Sequence, residues 1–175
     1  MRKGYMLITI VAVTILTGCH RNSDYVVGQY QVRTTVTTST CPAELSSIVD
    51  DMLLPTGISV GQTAMSSWKI ERIGITGTGA HHINLILYPS DSSKSVSHLS
   101  GTLEQGFVRI DLQQDIHKPS YHLYRAILLR GSIEEEAFIG EIRILLSNTD
   151  ESPSLPPHIP ASSPCEVREE FSGTP

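Results

Sequence analysis

The chain has 175 residues, 39% of them hydrophobic and 18% charged, with 13 Lys and Arg against 18 Asp and Glu for a formal charge of −5. A net acidic chain of this kind lacks the basic footprint of a nucleic-acid binder and does not cling to anionic headgroups through its overall charge. At this length one domain with a sizeable core is expected, so neither a metal nor a disulfide is obligatory for folding.

The first element is an export signal. Arg2 and Lys3 precede an apolar block, residues 6–16, which is too short to span a bilayer as a stable helix and has the polarity of a secretory signal. It ends in Leu16-Thr17-Gly18-Cys19. These four residues resemble the lipobox of bacterial lipoproteins: a branched aliphatic, two small residues, then the cysteine that is lipidated and becomes the new N-terminus. The resemblance covers residues 1–19 and implies cleavage after residue 18, acylation of Cys19 and a membrane partner reached through lipid alone. Losing Arg2 and Lys3 takes the charge from −5 to −7. In the lipoproteins that the signal resembles, an aspartate after the cysteine favours inner-membrane retention. His20 in that place points to the outer membrane, facing the periplasm or the cell surface. Residues 19–24 are read as a polar tether.

Residues 25–39 alternate, with Tyr30, Val32 and Val36 on one side and Gln29, Gln31, Arg33, Thr35 and Thr37 on the other. Period two with β-branched residues predicts a long, half-buried strand. After Cys41-Pro42, the spacing of Leu45, Ile48, Val49, Met52 and Leu53 predicts a short helix over 42–54, started by Pro42 and stopped by Pro55 and Gly57. Ile58 and Val60 suggest a short strand. Residues 68–76 suggest another, with Trp68 and Ile70 on one face and a bulge at Gly74. Gly77-Thr78-Gly79 is a turn. Residues 83–88 are apolar on both faces, as in a well-covered strand, and the serine-rich stretch 89–97 is an exposed loop.

An approximate internal repeat follows. Residues 99–107, LSGTLEQGF, recur with one insertion as residues 129–138, LRGSIEEEAF. Each copy reads as strand, acidic turn, strand, and residues 121–129 supply a strand between them, which makes a meander of antiparallel neighbours. Residues 149–164 carry Pro153, Pro156, Pro157, Pro160 and Pro164 among serines and are read as an extended linker. Beyond it, Val167 is expected to add a short edge strand, Glu166, Glu169 and Glu170 to stay in solvent, and residues 171–175 to fray.

The pattern predicts an all-β domain over residues 25–148: a small antiparallel meander barrel, similar in pattern to lipocalin-like barrels, with a two-sheet sandwich as the alternative. Gly28-Gln29-Tyr30 has tyrosine where that family carries tryptophan. With Cys19 assigned to lipid, Cys41 and Cys165 form an even pair in an oxidising compartment and are expected to be bridged, tying residues 165–175 back to the domain. Closing so long a loop is worth up to about 5 kcal/mol.

No constellation of catalytic residues appears. His81 and His82 are adjacent and so face opposite ways on a strand, and no His-Glu-x-x-His or Cys-x-x-Cys spacing accompanies them, so no metal site and no cofactor are expected. There is no Gly-x-Ser-x-Gly elbow, and Glu134-Glu135-Glu136 reads as a solvated turn. Trp68, with Tyr30, Tyr88 or Phe107, is placed in the barrel interior, either lining a pocket for an apolar ligand or filling the core. The expected protein is non-enzymatic: a lipid-anchored module that binds a small ligand or an envelope protein, or a structural lipoprotein that docks on a larger complex by strand addition or through the helix at 42–54.

Overall fold

In the computed structural model the described residues are 28–45, 57–90, 95–118, 121–134, 136–148 and 164–175. The export signal, Cys19, the tether, most of the helix expected at 42–54 and nearly all of the proline-rich stretch lie outside them.

Eight strands form one closed antiparallel barrel: β1 (Gln29–Ser39), β2 (Thr63–Ile75), β3 (His81–Pro89), β4 (Ser97–Glu104), β5 (Phe107–Lys118), β6 (Tyr121–Glu134), β7 (Ala137–Asn148) and β8 (Cys165–Thr174). Each strand pairs with its neighbour in sequence, and β8 pairs with β1 to close the ring. This is the meander barrel that the alternation predicts. A two-sheet sandwich is ruled out because every strand is hydrogen-bonded on both sides. The repeat takes its predicted place, with 99–107 forming the β4–β5 hairpin and 129–138 the β6–β7 hairpin.

The pairing fixes the stagger of the barrel. From Thr63 on β2, register partners run through Thr35, Glu170, Glu141, Arg130, Arg109, Thr102 and His82, and return to β2 at Gly74. One circuit therefore climbs 11 residues, from 63 to 74, including the bulge between Arg72 and Gly74. A stagger of that size forces the strands to tilt against the barrel axis, as closure of an eight-stranded sheet requires.

Alternation then decides what fills the interior. Along β1, Tyr30, Val32, Thr34 and Val36 point in while Gln29, Gln31 and Arg33 face solvent. Trp68, Ile83, Leu85, Leu99, Ile110, Leu123, Ile127, Leu129, Phe138 and Ile142 are all at most 1% exposed and belong to one core cluster shared by all eight strands. The wall is charged outside and apolar inside, the reverse of a barrel that spans a bilayer. Among the described residues no helix is long and apolar enough to cross a membrane.

Three expectations are corrected. Ile58 and Val60 lie in a turn, not a strand, with Ile58 buried under the barrel mouth and Val60 exposed. Of the helix predicted at 42–54, the described part, Ala43–Leu45, is a single 3-10 turn whose Leu45 reaches into the core. The largest correction is β8. Cys165–Thr174 is neither frayed nor an edge: it pairs with both β7 and β1, and its burial alternates through Cys165, Val167, Glu169, Phe171 and Gly173. Glu169 is fully buried instead of solvated.

Candidate binding site at the open end of the barrel

The two ends of the barrel are built differently. At one end lie the turns 76–80, 105–106 and 135–136; at the other lie the long connections 40–62 and 149–164, with 90–96 and 119–120. These are called the tight and the open end.

The tight side of the interior is aromatic. Tyr30, Trp68, Phe138 and Phe171 form one cluster, with ring centroids 5.5 Å apart for Tyr30–Phe138, 6.1 Å for Trp68–Phe138 and 4.9 Å for both Trp68–Phe171 and Phe138–Phe171. The rings meet edge to face or tilted, the geometry their quadrupoles favour. Glycine makes the room. A Cβ at Gly131 would stand 2.6 Å from Phe138, and one at Gly140 would stand 2.1 Å from the Arg130 carbonyl oxygen, so neither position accepts a side chain. Trp68 Nε1 donates to Ser66 Oγ at 2.7 Å, which satisfies the buried indole. Burial raises the pKa of the Tyr30 hydroxyl.

Trp68 and Tyr30 thus lie inside, as expected, and they fill the core. Tyr88 and Phe107 do not join them. Tyr88 is 37% exposed and Phe107 65% exposed, both on the outer wall. The reason is strand parity: Val108 and Ile110 point in, so Phe107 points out. An aromatic-lined apolar pocket built from these four residues is therefore not formed.

The interior toward the open end is polar. Thr34, Ser66, Ser97, Arg125 and Glu169 are buried there among aliphatic side chains, and none of the five is more than 4% exposed. Arg125 donates through Nη2 to Gln114 Oε1. The wall is also thinnest here. The β5–β6 ladder has twelve register pairs, but β4–β5 has three, Thr102 with Arg109, Leu103 with Val108 and Glu104 with Phe107. Continued along the strands, that register would set Ser97 opposite Gln114, yet the ladder stops at Thr102. The two strands part toward the open end. Leu112, Gln114 and Ile116, which follow the inward parity of Val108 and Ile110, are only partly buried beside this slot. A guanidinium within hydrogen-bond reach of a carboxamide, at a gap in the wall, is chemistry suited to holding a carboxylate or another planar oxygen group.

The open end is stapled. Cys41 and Cys165 form the expected disulfide, Cα–Cα 4.9 Å, across 124 residues of sequence. It sits where β1 leaves β8, next to the hydrogen bond from Thr40 N to Glu166 O at 2.8 Å. Outside, Glu166 takes hydrogen bonds from Arg143 Nε (2.8 Å) and Arg168 Nε (2.5 Å). The Arg143 bond, aided by Arg168, outweighs desolvation and holds the Glu166 carboxyl below the ordinary carboxylate value. At Asp111 desolvation pushes the pKa up, but hydrogen bonds from Arg130 and Arg109 together outweigh it and the net shift is downward.

The histidines do not converge on one site: His117 and His122 are register partners across β5 and β6, away from the β3 pair. His81 and His82 take opposite faces of β3, and His98 meets Asn84 at 3.2 Å on the outer wall. Among the described residues no three His, Cys, Asp or Glu side chains are grouped as a metal would need. Glu134 and Glu136 flank a solvent-facing turn, Glu136 with φ +76°.

Comparison with known protein families, with curated proteins and with solved structures finds no match to this chain.

Proposed function

We propose that the protein is a lipid-anchored lipoprotein of the bacterial envelope, held at the outer membrane through Cys19, and that its barrel is a non-enzymatic binding module working at the open end. The anchor reading rests on Leu16-Thr17-Gly18-Cys19 after a basic start and an apolar block. What carries the binding reading is the slot where the β4–β5 ladder ends after three pairs, beside buried Arg125. The occupant is a small ligand or a segment of an envelope protein that offers an oxygen-bearing group to Arg125 and Gln114. The mutual packing of Tyr30, Trp68, Phe138 and Phe171 favours this reading over an apolar ligand seated among them. Docking by strand addition, the structural alternative, is confined to the parted β4 and β5 edges at this same slot, because β8 covers the edges of β1 and β7.

Two measurements test this. Metabolic fatty-acid labelling should be lost in Cys19→Ala; label that survives that change removes the anchor. A photoreactive residue placed at Leu112, beside the slot, should trap a small molecule or protein in cells and lose it in Arg125→Gln, while one at Arg33 on the far wall should not. Equal trapping at both positions removes the binding site.

A further inference from the structure

The three hairpins of the tight end differ in charge and apolarity. The β4–β5 turn is flanked by Glu104, and the β6–β7 turn carries Glu134 at the end of β6 and Glu136 before β7. The β2–β3 hairpin has no carboxylate anywhere in residues 72–82, RIGITGTGAHH, and carries Arg72 and two histidines. On this hairpin Ile73 is 63% exposed and Ile75 is 70% exposed. Single exposed aliphatics are ordinary on soluble proteins, but two on one hairpin arm, with no acid from residue 72 through the turn to residue 82, make a wedge that is apolar toward its point. Its tip is also thin. A Cβ at Gly77 would meet nothing within 4 Å, so no packing demand explains that glycine.

Position gives the wedge its occupant. β1, the strand next to β2, starts at this end, where Ile70 N donates to Gly28 O at 2.9 Å. Eight residues lie between Cys19 and Gly28, and the nine steps reach at most about 32 Å at the extended-chain limit of roughly 3.3–3.6 Å per residue. From Ile70 to Ile75 the strand advances about 17 Å at roughly 3.3 Å per residue. The lipid is thus tied to the barrel end that bears the wedge, on a leash long enough to bring the tip to the bilayer.

We infer that the tip of the β2–β3 hairpin is a membrane-contact wedge: in the anchored protein Ile73 and Ile75 enter the headgroup region of the bilayer that holds the acyl chains. The open end, with its slot, then points into the aqueous space, and the acidic β4–β5 and β6–β7 turns, which share the tight end, make the β2–β3 tip the part of that end that enters the headgroups. This orientation rests on the anchor reading for Cys19.

The test uses the full lipidated protein in vesicles containing phosphatidylglycerol and a lipid-borne nitroxide quencher. An environment-sensitive fluorophore is attached at Ile75→Cys or, at the opposite end, at Val60→Cys. Quenching several-fold greater at position 75 than at position 60 is the expected result. A label at Thr78→Cys should be quenched likewise and should lose most of that quenching when Ile73→Ser and Ile75→Ser are added. Equal quenching at positions 75 and 60, in protein whose mass shows acyl chains on Cys19, overturns the wedge alone. Protein without acyl chains overturns the anchor, and the wedge falls with it.

Discussion

The two ends of this barrel solve one problem by different means. At the tight end short turns leave little chain to cover the interior, and four rings do the sealing, with Gly131 and Gly140 giving them space. At the open end, among the described residues, Leu45 and Ile58 pack onto the core, and a disulfide holds Cys41, four residues before Leu45, to β8. Packing seals one end and covalent constraint secures the other. Stability is therefore expected to concentrate at the tight end, which leaves the open end free to carry buried polar groups and a parted wall.

The sharpest way to break this contrast is to remove a ring. Phe138→Ala takes away the side chain that touches Tyr30, Trp68 and Phe171, and it should cost about 3–5 kcal/mol in a denaturant titration, the range for large aromatic truncations in cores. Replacing both Cys41 and Cys165 with Ala should come next, at about 2–4 kcal/mol, since the bridge constrains a long loop of the unfolded chain. If the second loss exceeds the first, the staple and not the aromatic seal is the main brace. Ser66→Ala is smaller, about 1–3 kcal/mol, because it leaves the Trp68 indole N–H buried without its acceptor. It should lower stability without exposing Trp68, so fluorescence of the native state should change little.

The least effect is expected from pH. Glu166 has its carboxyl held below the ordinary value in the folded state, so its contribution is complete above the unfolded pKa of about 4.3 and is lost as pH falls through the lower folded value. Because its partners Arg143 and Arg168 are 40% and 45% exposed, the loss should stay below about 1 kcal/mol. Comparing acid titrations of the wild type and Glu166→Gln checks this: the variant should have a shallower stability loss below pH about 4.3 and the same stability change elsewhere.

Where the sequence was legible, alternation was unbroken. β1 shows its parity because Val32 and Val36 stand among threonines and glutamines, and the repeat shows both hairpins because turn residues punctuate each copy. β8 was hidden by one residue. Glu169 occupies an inward position, and a buried acid next to Glu170 reads as a solvated pair until Cys165, Val167, Phe171 and Gly173 are seen to share its face. Phe107 could have been placed outside from the parity of Val108 and Ile110. Tyr88 could not, because Ile86 is apolar and buried on the outer face of the same strand, which erases the pattern. The slot has no local signature at all, since it arises where a ladder ends and that is a property of two strands at once.

One feature bears on how the molecule comes into being. The seam of the barrel is the pairing of β1 with β8, and Cys41 finds Cys165 across 124 residues. A chain synthesised N-terminus first presents β1 and the thiol of Cys41 long before their partners. Until β8 arrives, β1 and β7 both offer open edges of the kind that recruit other chains. The same stretch that completes the hydrogen-bonding ring completes the sulfur bridge, so closure is a single late event and the chain that still lacks β8 is the state most in need of protection.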